Sequence, residues 1–270
     1  MKLFLVVIAT SLGLAATAPT YSDLKQLTPQ EVQRLRTYTD NDKQNVWELS
    51  GQFEGDIVLT RAQRNGLLDS TYKWENNEIP YELSSDFDEE QVAWIKESLE
   101  EYSRKTCLVV RERTDDDINY VYVTGEESGC WSYVGRIGGV QALNLQLNTP
   151  GSGCFRNGTI VHEFLHAAGF YHQQSSPDRD EYVEIIWENI ISGRESNFNK
   201  YDWDVVTTFN LEYDYNSVLH YSAYAFTVND EKTIVTLNPD AEIGQRIEMS
   251  EIDAMKVNLM YCPERISQTL

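Results

Sequence analysis

The sequence contains few residues that could bind a metal through nitrogen or sulfur, or cross-link the chain. Its 270 residues include only four histidines, four cysteines and four methionines. No two cysteines have the C-x-x-C spacing, which excludes a zinc ribbon and a dithiol redox motif. The sequence also lacks internal repeats and low-complexity stretches. Its length therefore favours one globular domain, or two lobes that share a cleft.

Basic residues are outnumbered, and the imbalance is uneven along the chain. The sequence contains 22 Lys and Arg against 43 Asp and Glu, for a net charge of −21. Residues 1–64 contain seven residues of each sign, so the whole excess lies in residues 65–270. This strongly acidic part of the chain repels phosphate backbones and anionic lipid head groups, which argues against nucleic acids and membrane surfaces as partners.

The sequence has one long apolar run, at its start. Residues 3–18 read LFLVVIATSLGLAATA and end in small residues before Pro19. The run is too short and too close to the terminus for a membrane span in the finished protein. The sequence therefore predicts a signal peptide over residues 1–18 and a secreted, extracellular protein without a membrane anchor. An uncleaved anchor is the alternative.

The next stretch, residues 19–64, is polar and lacks cysteine. It ends in two arginines, Arg61 and Arg64, which are typical cleavage points for a trypsin-like protease. These features favour a removable segment, with an ordinary surface loop as the alternative.

Hydrophobic periodicity and capping residues predict the elements of the folded part. Apolar residues three or four apart predict an amphipathic helix over residues 88–105. Ser250, followed by Asp253, forms a capping box, which predicts a last helix to about Met260. A further helix is expected from about Thr159 to Ala168, and strands at 79–83, 108–110, 120–124 and 140–147. Because strands come early and irregular chain dominates late, the expected fold is α+β with two lobes.

Three of the four histidines lie in one short stretch, VHEFLHAAGFYH, at residues 161–172. On a helix, residues i and i+4 share a face, so His162 and His166 can direct ring nitrogens at one ion. Gly169 can end the helix with a positive φ and turn the chain back, which brings His172 to the same ion. Three neutral nitrogens leave an open coordination position, as a catalytic zinc requires. Glu163, beside that face, is then the catalytic base.

Five other stretches accompany this motif. They are FEGD at 53–56, Trp74 with IPY at 79–81, GCWSYVGR at 129–136, PDRD at 177–180 and SVLHY at 217–221. With them the chain resembles the astacin family of metzincin endopeptidases over nearly its whole length. The resemblance implies a two-lobed metzincin-like domain. The N-terminal lobe would hold a twisted mixed sheet and two long helices, including the zinc helix, and the C-terminal lobe would be mostly irregular with a final helix.

The resemblance also assigns roles at the site. It implies a zinc-dependent endopeptidase with one Zn²⁺ per catalytic domain on the three histidines. Tyr221 would bind zinc in the resting enzyme and swing away to hydrogen-bond the oxyanion. Four cysteines allow three pairings, of which the resemblance implies Cys107–Cys262 and Cys130–Cys154. No EGF-like or CUB-like module follows Cys262, so we expect a catalytic domain alone.

The resemblance further implies a zymogen. Residues 19–64 would be an activation pro-segment whose Asp56 ligates zinc, and residues 65–270 an astacin-like catalytic domain. The spacing back from Trp74 places the activating cut at the Arg64–Asn65 bond. We expect a monomer whose partners are protein or peptide substrates and an activating trypsin-like protease.

Two positions depart from the family pattern. Gln173 stands where the family has a Glu that receives the amino group of the mature N-terminus, and a carboxamide keeps only the hydrogen bond. Leu219 stands where the family has the methionine of its Met-turn, and leucine is close to it in volume. These departures keep open an alternative function, a secreted zinc-binding pseudoprotease that acts as a binding protein.

Two residues are candidates for further roles. Gly244-Gln245-Arg246 resembles a stretch that, in some members of the family, places an arginine in the pocket just after the scissile bond. There Arg246 would favour Asp or Glu in the substrate. An ordinary surface arginine is the alternative. Asn157 lies in the one N-x-S/T sequon and is a candidate glycosylation site, although a glycan so near the zinc helix must clear the cleft.

Overall fold

The computed structural model describes residues 23–60 and 72–266. The predicted signal peptide and the Arg64–Asn65 bond lie outside the described residues. Within these two ranges, no helix is both long enough and apolar enough to cross a lipid bilayer. Residues 23–60, here called the N-terminal segment, share one hydrophobic core with the rest of the chain.

A six-stranded mixed sheet forms the first lobe. Its strands are Ile57–Val58 (β1), Glu78–Leu83 (β2), Val109–Glu112 (β3), Tyr120–Thr124 (β4), Cys130–Tyr133 (β5) and Val140–Leu145 (β6). Their order is β1-β5-β6-β4-β2-β3, and β5 and β6 are the one antiparallel pair of this sheet. Because β1 belongs to the N-terminal segment, that segment extends the sheet at its β5 edge.

Helix α2, Glu89–Lys105, packs against the sheet with its apolar stripe. The side chain of Asp88 caps it by accepting the N–H of Gln91. Ile95 and Leu99 are buried in the core that the helix shares with the sheet. Burial of an aliphatic side chain of this kind contributes about 2 kcal/mol each, which stabilises a helix whose outer face is highly charged.

Helix α3, Asn157–Ala168, runs through the interior and contacts both α2 and the sheet. Eleven of its 12 residues are buried, so it lacks a polar outer face. The helix ends at Gly169, which has a φ of 109°. A side chain with a Cβ rarely adopts this conformation, and Gly169 adopts it without strain.

The second lobe, from residue 169 onward, is mostly irregular. Its regular elements are the antiparallel strands Val183–Ile185 (β7) and Ile234–Thr236 (β8) and the helices Glu251–Tyr261 (α4) and Pro263–Ile266 (α5). Ser250 caps α4 in the expected capping box with Asp253. The predicted two-lobed α+β fold is thus confirmed.

Two disulfides tie the helices to the rest of the domain. Cys107–Cys262 joins the chain just after α2 to the end of α4. Cys130–Cys154 joins β5 to the turn before α3. All four cysteines are therefore bonded, in the pairing that the resemblance implied.

Some elements differ from those expected from the sequence. Strand β6 ends at Leu145 rather than at residue 147. Helix α3 begins at Asn157 rather than near Thr159. Its N-cap is Arg156, whose side chain makes no capping hydrogen bond, so no capping residue marks this start in the sequence. Helix α1, Pro29–Thr37, and strands β1, β5, β7 and β8 were not predicted. These strands are two to four residues long, too short for a clear alternating pattern.

Candidate zinc centre

Helix α3 and the turn after it bring three histidines to one point. His162 and His166 are one helical turn apart, and their Nε2 atoms are separated by 3.0 Å. After Gly169 the chain turns back, so that the ring centroid of His172 lies 4.7 Å from that of His166. All three imidazoles are buried. The structure thus assembles the predicted triad on one side of α3.

Backbone carbonyls orient the first two imidazoles. Nδ1 of His162 donates to the carbonyl of Val218 at 2.8 Å, and Nδ1 of His166 donates to that of Phe170 at 2.7 Å. Because a carbonyl oxygen only accepts, each Nδ1 carries the proton. Each Nε2 therefore presents a lone pair to the shared point, which is the state that a metal ligand requires.

Asp56 of the N-terminal segment lies among these histidines. Its Oδ2 is 2.8 Å from Nε2 of His162 and 3.7 Å from Nε2 of His166, and its Oδ1 is 3.3 Å from Nε2 of His172. One ligand atom from each of the four residues lies within 4.8 Å of all the others. Oδ1 of Asp56 and Nε2 of His172 are buried without a hydrogen-bond partner in the described chain, as expected where a cation belongs.

The chemistry of this donor set fits zinc, which binds imidazole nitrogens and carboxylate oxygens in a tetrahedral arrangement. Burial lowers the pKa of His162 to about 4, which keeps that ring neutral. Burial also opposes a charge on His172, but the carboxylates of Asp56 and Glu54 outweigh it and raise the pKa to about 9. The centre therefore attracts positive charge, which a metal ion would supply in place of the proton.

Glu163 is buried beside the histidines. Neither of its carboxylate oxygens has a hydrogen-bond partner among the described residues. Burial, and then the negative charge of Asp56, raises the pKa of Glu163 well above its usual range. A buried carboxylate that is committed to no other group is available to exchange a proton with a water molecule at the site.

A turn in the second lobe fixes the position of the first histidine. The N–H of Val218 donates to Oδ2 of Asp253 at 2.9 Å, and the hydroxyl of Ser217 donates to Oδ1 at 2.7 Å. The carbonyl of the same Val218 holds His162. Leu219, the next residue, is buried in the core. Sequence reasoning gave Asp253 only a capping role, because nothing in the sequence shows that its carboxylate also reaches the turn.

Tyr221 lies beside the third histidine. Its ring centroid is 4.8 Å from that of His172, and its ring is fully buried. The hydroxyl donates to the backbone carbonyl of Glu54 at 2.6 Å. The residue expected to serve the oxyanion is therefore engaged by the N-terminal segment in this structure.

The N-terminal segment covers the site with buried side chains. The indole of Trp47 stacks on His162 and His172, with ring centroids 4.1 and 5.3 Å apart. The carboxylate of Glu48 accepts the N–H of Ser222 at 2.6 Å and its hydroxyl at 3.0 Å. Sequence reasoning missed both residues, since a Trp-Glu pair in a polar stretch matches no motif.

The two residues with further predicted roles, Arg246 and Asn157, form their hydrogen bonds with residues other than the histidines. The guanidinium of Arg246 donates to the hydroxyl of Tyr38, in the N-terminal segment, at 2.9 Å. The amide nitrogen of Asn157 donates to the carboxylate of Glu101 at 2.8 Å and to the carbonyl of Ile247 at 2.9 Å. The amide that a glycan would occupy is therefore already hydrogen-bonded.

Comparison with known proteins identifies the family. A model of the Astacin peptidase family matches residues 67–262. The match contains the three histidines, Glu163 and Tyr221, and it spans more than half of the chain. This chain belongs to the astacin family. The zinc of the astacins is the metal that the buried histidine group fits.

Known astacins extend the comparison. The chain is 41% identical over 210 residues to zinc metalloproteinase nas-13 of Caenorhabditis elegans, and 44% identical over 220 residues to human Meprin A subunit beta. The alignments cover 77% and 80% of this chain but only 45% and 30% of those relatives, so the chain spans less than half of either. High choriolytic enzyme 1, a hatching enzyme zinc-protease of the medaka Oryzias latipes, has a TM-score of 0.66 at 37% identity. That match covers 72% of this chain and 96% of the medaka chain.

Proposed function

We propose that this astacin is a zinc-dependent endopeptidase, secreted as a latent precursor and activated by cleavage near the Arg64–Asn65 bond. One observation carries the proposal: Asp56 of the N-terminal segment lies among three buried histidines whose Nε2 atoms converge. Membership of a peptidase family supports the activity. Glu163 is retained and has no hydrogen-bond partner within residues 23–60 and 72–266, which supports hydrolysis at this place.

Hydrolysis uses the groups that the site leaves free. The three histidines would hold the zinc ion, which supplies a Lewis acid that polarises the scissile carbonyl and acidifies the attacking water. Glu163 takes the proton from that water, because its oxygens are bound to nothing else in the described chain. Burial makes its carboxylate a stronger base. Glu163 then passes the proton to the leaving amine.

Tyr221 stabilises the oxyanion of this reaction. Its hydroxyl is bonded to Glu54 in the precursor and becomes free when the N-terminal segment leaves. A hydroxyl that donates to the oxyanion strengthens its hydrogen bond as negative charge develops. Its contribution is therefore felt mainly in the transition state.

Latency follows from the position of Asp56. A carboxylate is a competent zinc ligand, and a covalently tethered one acts at high effective concentration. Gly55 permits the close approach of the backbone: its φ is 99°, and a Cβ there would lie 3.0 Å from the Cα of Glu48. Cutting at Arg64–Asn65 releases the tether and opens the cleft.

The surroundings of Glu48 support a preference for acidic substrates. Burial raises the pKa of Glu48, whereas hydrogen bonds from Ser222 and Asn45 and the positive charge of Arg246 lower it and so stabilise the carboxylate. When the segment leaves, the donors of Ser222 and the charge of Arg246 remain. We infer that they favour an Asp or Glu side chain of the substrate, in the pocket that follows the scissile bond.

The second candidate function, a binding protein that no longer cleaves, would rest on the two departures from the family pattern. The structure accommodates both. Leu219 is buried in the core, and the side-chain oxygen of Gln173 accepts a hydrogen bond from the ammonium of Lys256. Because Glu163 and Tyr221 are retained, hydrolysis is the better supported function.

Hydrolysis of azocasein distinguishes the endopeptidase from the binding protein. Protein cut after Arg64 and loaded with zinc is expected to hydrolyse azocasein, and phenanthroline is expected to stop the reaction by removing the metal. Zinc-loaded, cut protein that leaves azocasein intact would favour the binding protein instead.

A further inference from the structure

Glu54, in the N-terminal segment, is hydrogen-bonded through every polar group it has. Its N–H donates to Oδ1 of Asn197 at 3.2 Å, and its carbonyl accepts from the hydroxyl of Tyr221 at 2.6 Å. Its carboxylate accepts from the hydroxyl of Tyr201 and from Nδ1 of His172, both at 2.8 Å. The residue is 1% exposed, and all four partners belong to the astacin domain.

The contact with His172 sets that histidine apart from the other two. The outer nitrogens of His162 and His166 donate to backbone carbonyls of the domain itself. The outer nitrogen of His172 donates to a carboxylate of the N-terminal segment. Because a carboxylate only accepts, the bond places the proton on Nδ1 and leaves Nε2 to face Asp56.

We propose that Glu54 is a positioning residue for the metal centre of the precursor. Its carboxylate orients the imidazole of His172, and the hydroxyl of Tyr201 orients the carboxylate. This proposal rests on the zinc site and the latency proposed above. Asp56 and Glu54 then have separate tasks in the same segment: Asp56 supplies a ligand atom, and Glu54 holds the ring of a ligand.

The physical reason lies in the bond itself. It is buried and charge-assisted, so water does not compete for it, and it is stronger than the carbonyl contacts of the other two histidines. Partners of this kind, one step removed from the metal, typically change metal affinity by about 10–100-fold when they are mutated. Removal of the segment takes the carboxylate away, so His172 is held less firmly in the cut protein than in the precursor.

Zinc release from the uncut precursor tests the proposal. Wild type, Glu54→Ala and Glu54→Gln are mixed with an excess of the chromogenic chelator 4-(2-pyridylazo)resorcinol, and zinc transfer is followed by absorbance. Transfer is expected to be about tenfold faster in Glu54→Ala. It is expected to be accelerated less in Glu54→Gln, which keeps one neutral acceptor. Circular dichroism and thermal unfolding are used to check that each variant is folded.

Glu48→Gln is the matched control. Glu48 is an equally buried carboxylate of the same segment, but it holds Ser222. This variant is expected to release zinc at nearly the wild-type rate. Equal acceleration in Glu48→Gln and Glu54→Gln would overturn the proposal, because zinc would then be retained by general anchoring of the segment. So would wild-type release from a folded Glu54→Ala precursor.

A second variant tests the contact from the other side. Tyr201→Phe removes the hydroxyl that donates to Glu54, so it is expected to accelerate zinc release from the precursor. It is expected to add nothing to Glu54→Ala and to change nothing in the cut protein. Additive effects, or an equal acceleration in the cut protein, would contradict the proposal. Because zinc transfer needs no hydrolysis, failure here is distinguishable from failure of the proposed peptidase activity.

Discussion

Four carboxylates are buried around the histidines, and they differ in role because they differ in their hydrogen-bond partners. Glu48 and Glu54 accept hydrogen bonds from the domain, and Asp56 lies against the imidazoles. Glu163 differs, because both of its oxygens lack a hydrogen-bond partner within the described ranges. An unpartnered buried carboxylate is costly, so its retention indicates a task that requires a free group. Proton transfer is such a task.

Arg246→Ala is expected to remove the acidic preference of the cut enzyme. The loss of a charge-assisted hydrogen bond, worth about 2 kcal/mol, should lower kcat/KM for a peptide with Asp or Glu after the scissile bond by more than tenfold. A neutral peptide should be affected little. Profiling of a peptide library measures both, with Arg246→Lys as the control that keeps the charge. A wild-type enzyme without acidic preference would contradict the assignment.

Asn157 is expected to carry no glycan in the folded protein. Its amide nitrogen donates to Glu101 and Ile247, and Thr159 of the same sequon is buried in α3. Attachment would require these contacts to break. Gel mobility before and after glycosidase treatment measures occupancy, with Asn157→Gln as the reference. A shift that disappears in Asn157→Gln would show that the site is occupied.

At the scale of the elements, the sequence predicted those that have their own signal. Helix α2 has an apolar stripe, α4 has a capping box, and α3 carries the spacing of the zinc motif. Strand β1 has no such signal, since it is two residues long and is a strand through its pairing with β5. Likewise, the triad could be predicted because its members are close in sequence. Contacts that join distant residues, such as Asp253 with Val218, could not.

Helix α4 is expected to stabilise the zinc site through Asp253. In Asp253→Asn the side chain has one acceptor instead of two, so Val218 and Ser217 cannot both keep their bonds. The turn that holds His162 should loosen. We expect zinc affinity to fall by about tenfold, measured by competition with a chelator. Glu251→Gln, which removes one negative charge from an exposed side chain of the same helix, is the control, and an equal fall there would contradict the role of Asp253.

At the scale of the whole molecule, the N-terminal segment is part of the fold. It adds β1 to the sheet, places Trp47 on the histidines and contributes Asp56 to the centre. The family match begins at residue 67, so this cover lies outside the matched region. Because so many buried contacts hold the segment in place, we infer that it is cut before the cleft opens, as the proposed activation requires.

Asp56→Ala is expected to weaken latency without abolishing it. The variant loses the carboxylate at the metal, but Trp47 and the pairing of β1 with β5 still hold the segment over the site. Turnover of a fluorogenic peptide by uncut precursor should rise above the wild-type background and rise again on trypsin treatment. Asp42→Ala, an exposed aspartate of the same segment, should behave as wild type. Equal latency in Asp56→Ala and wild type would leave the segment acting by steric cover alone.

The most direct test of the account compares trypsin-cut wild type with trypsin-cut Glu163→Ala, measuring zinc content and kcat/KM on one peptide. The variant keeps all three histidines, so it should bind one zinc as the wild type does. Without its base it should hydrolyse the peptide at least a hundredfold more slowly, given the typical contribution of about 10²–10⁴-fold from a general base. Near-normal turnover by a zinc-loaded Glu163→Ala enzyme would contradict the account.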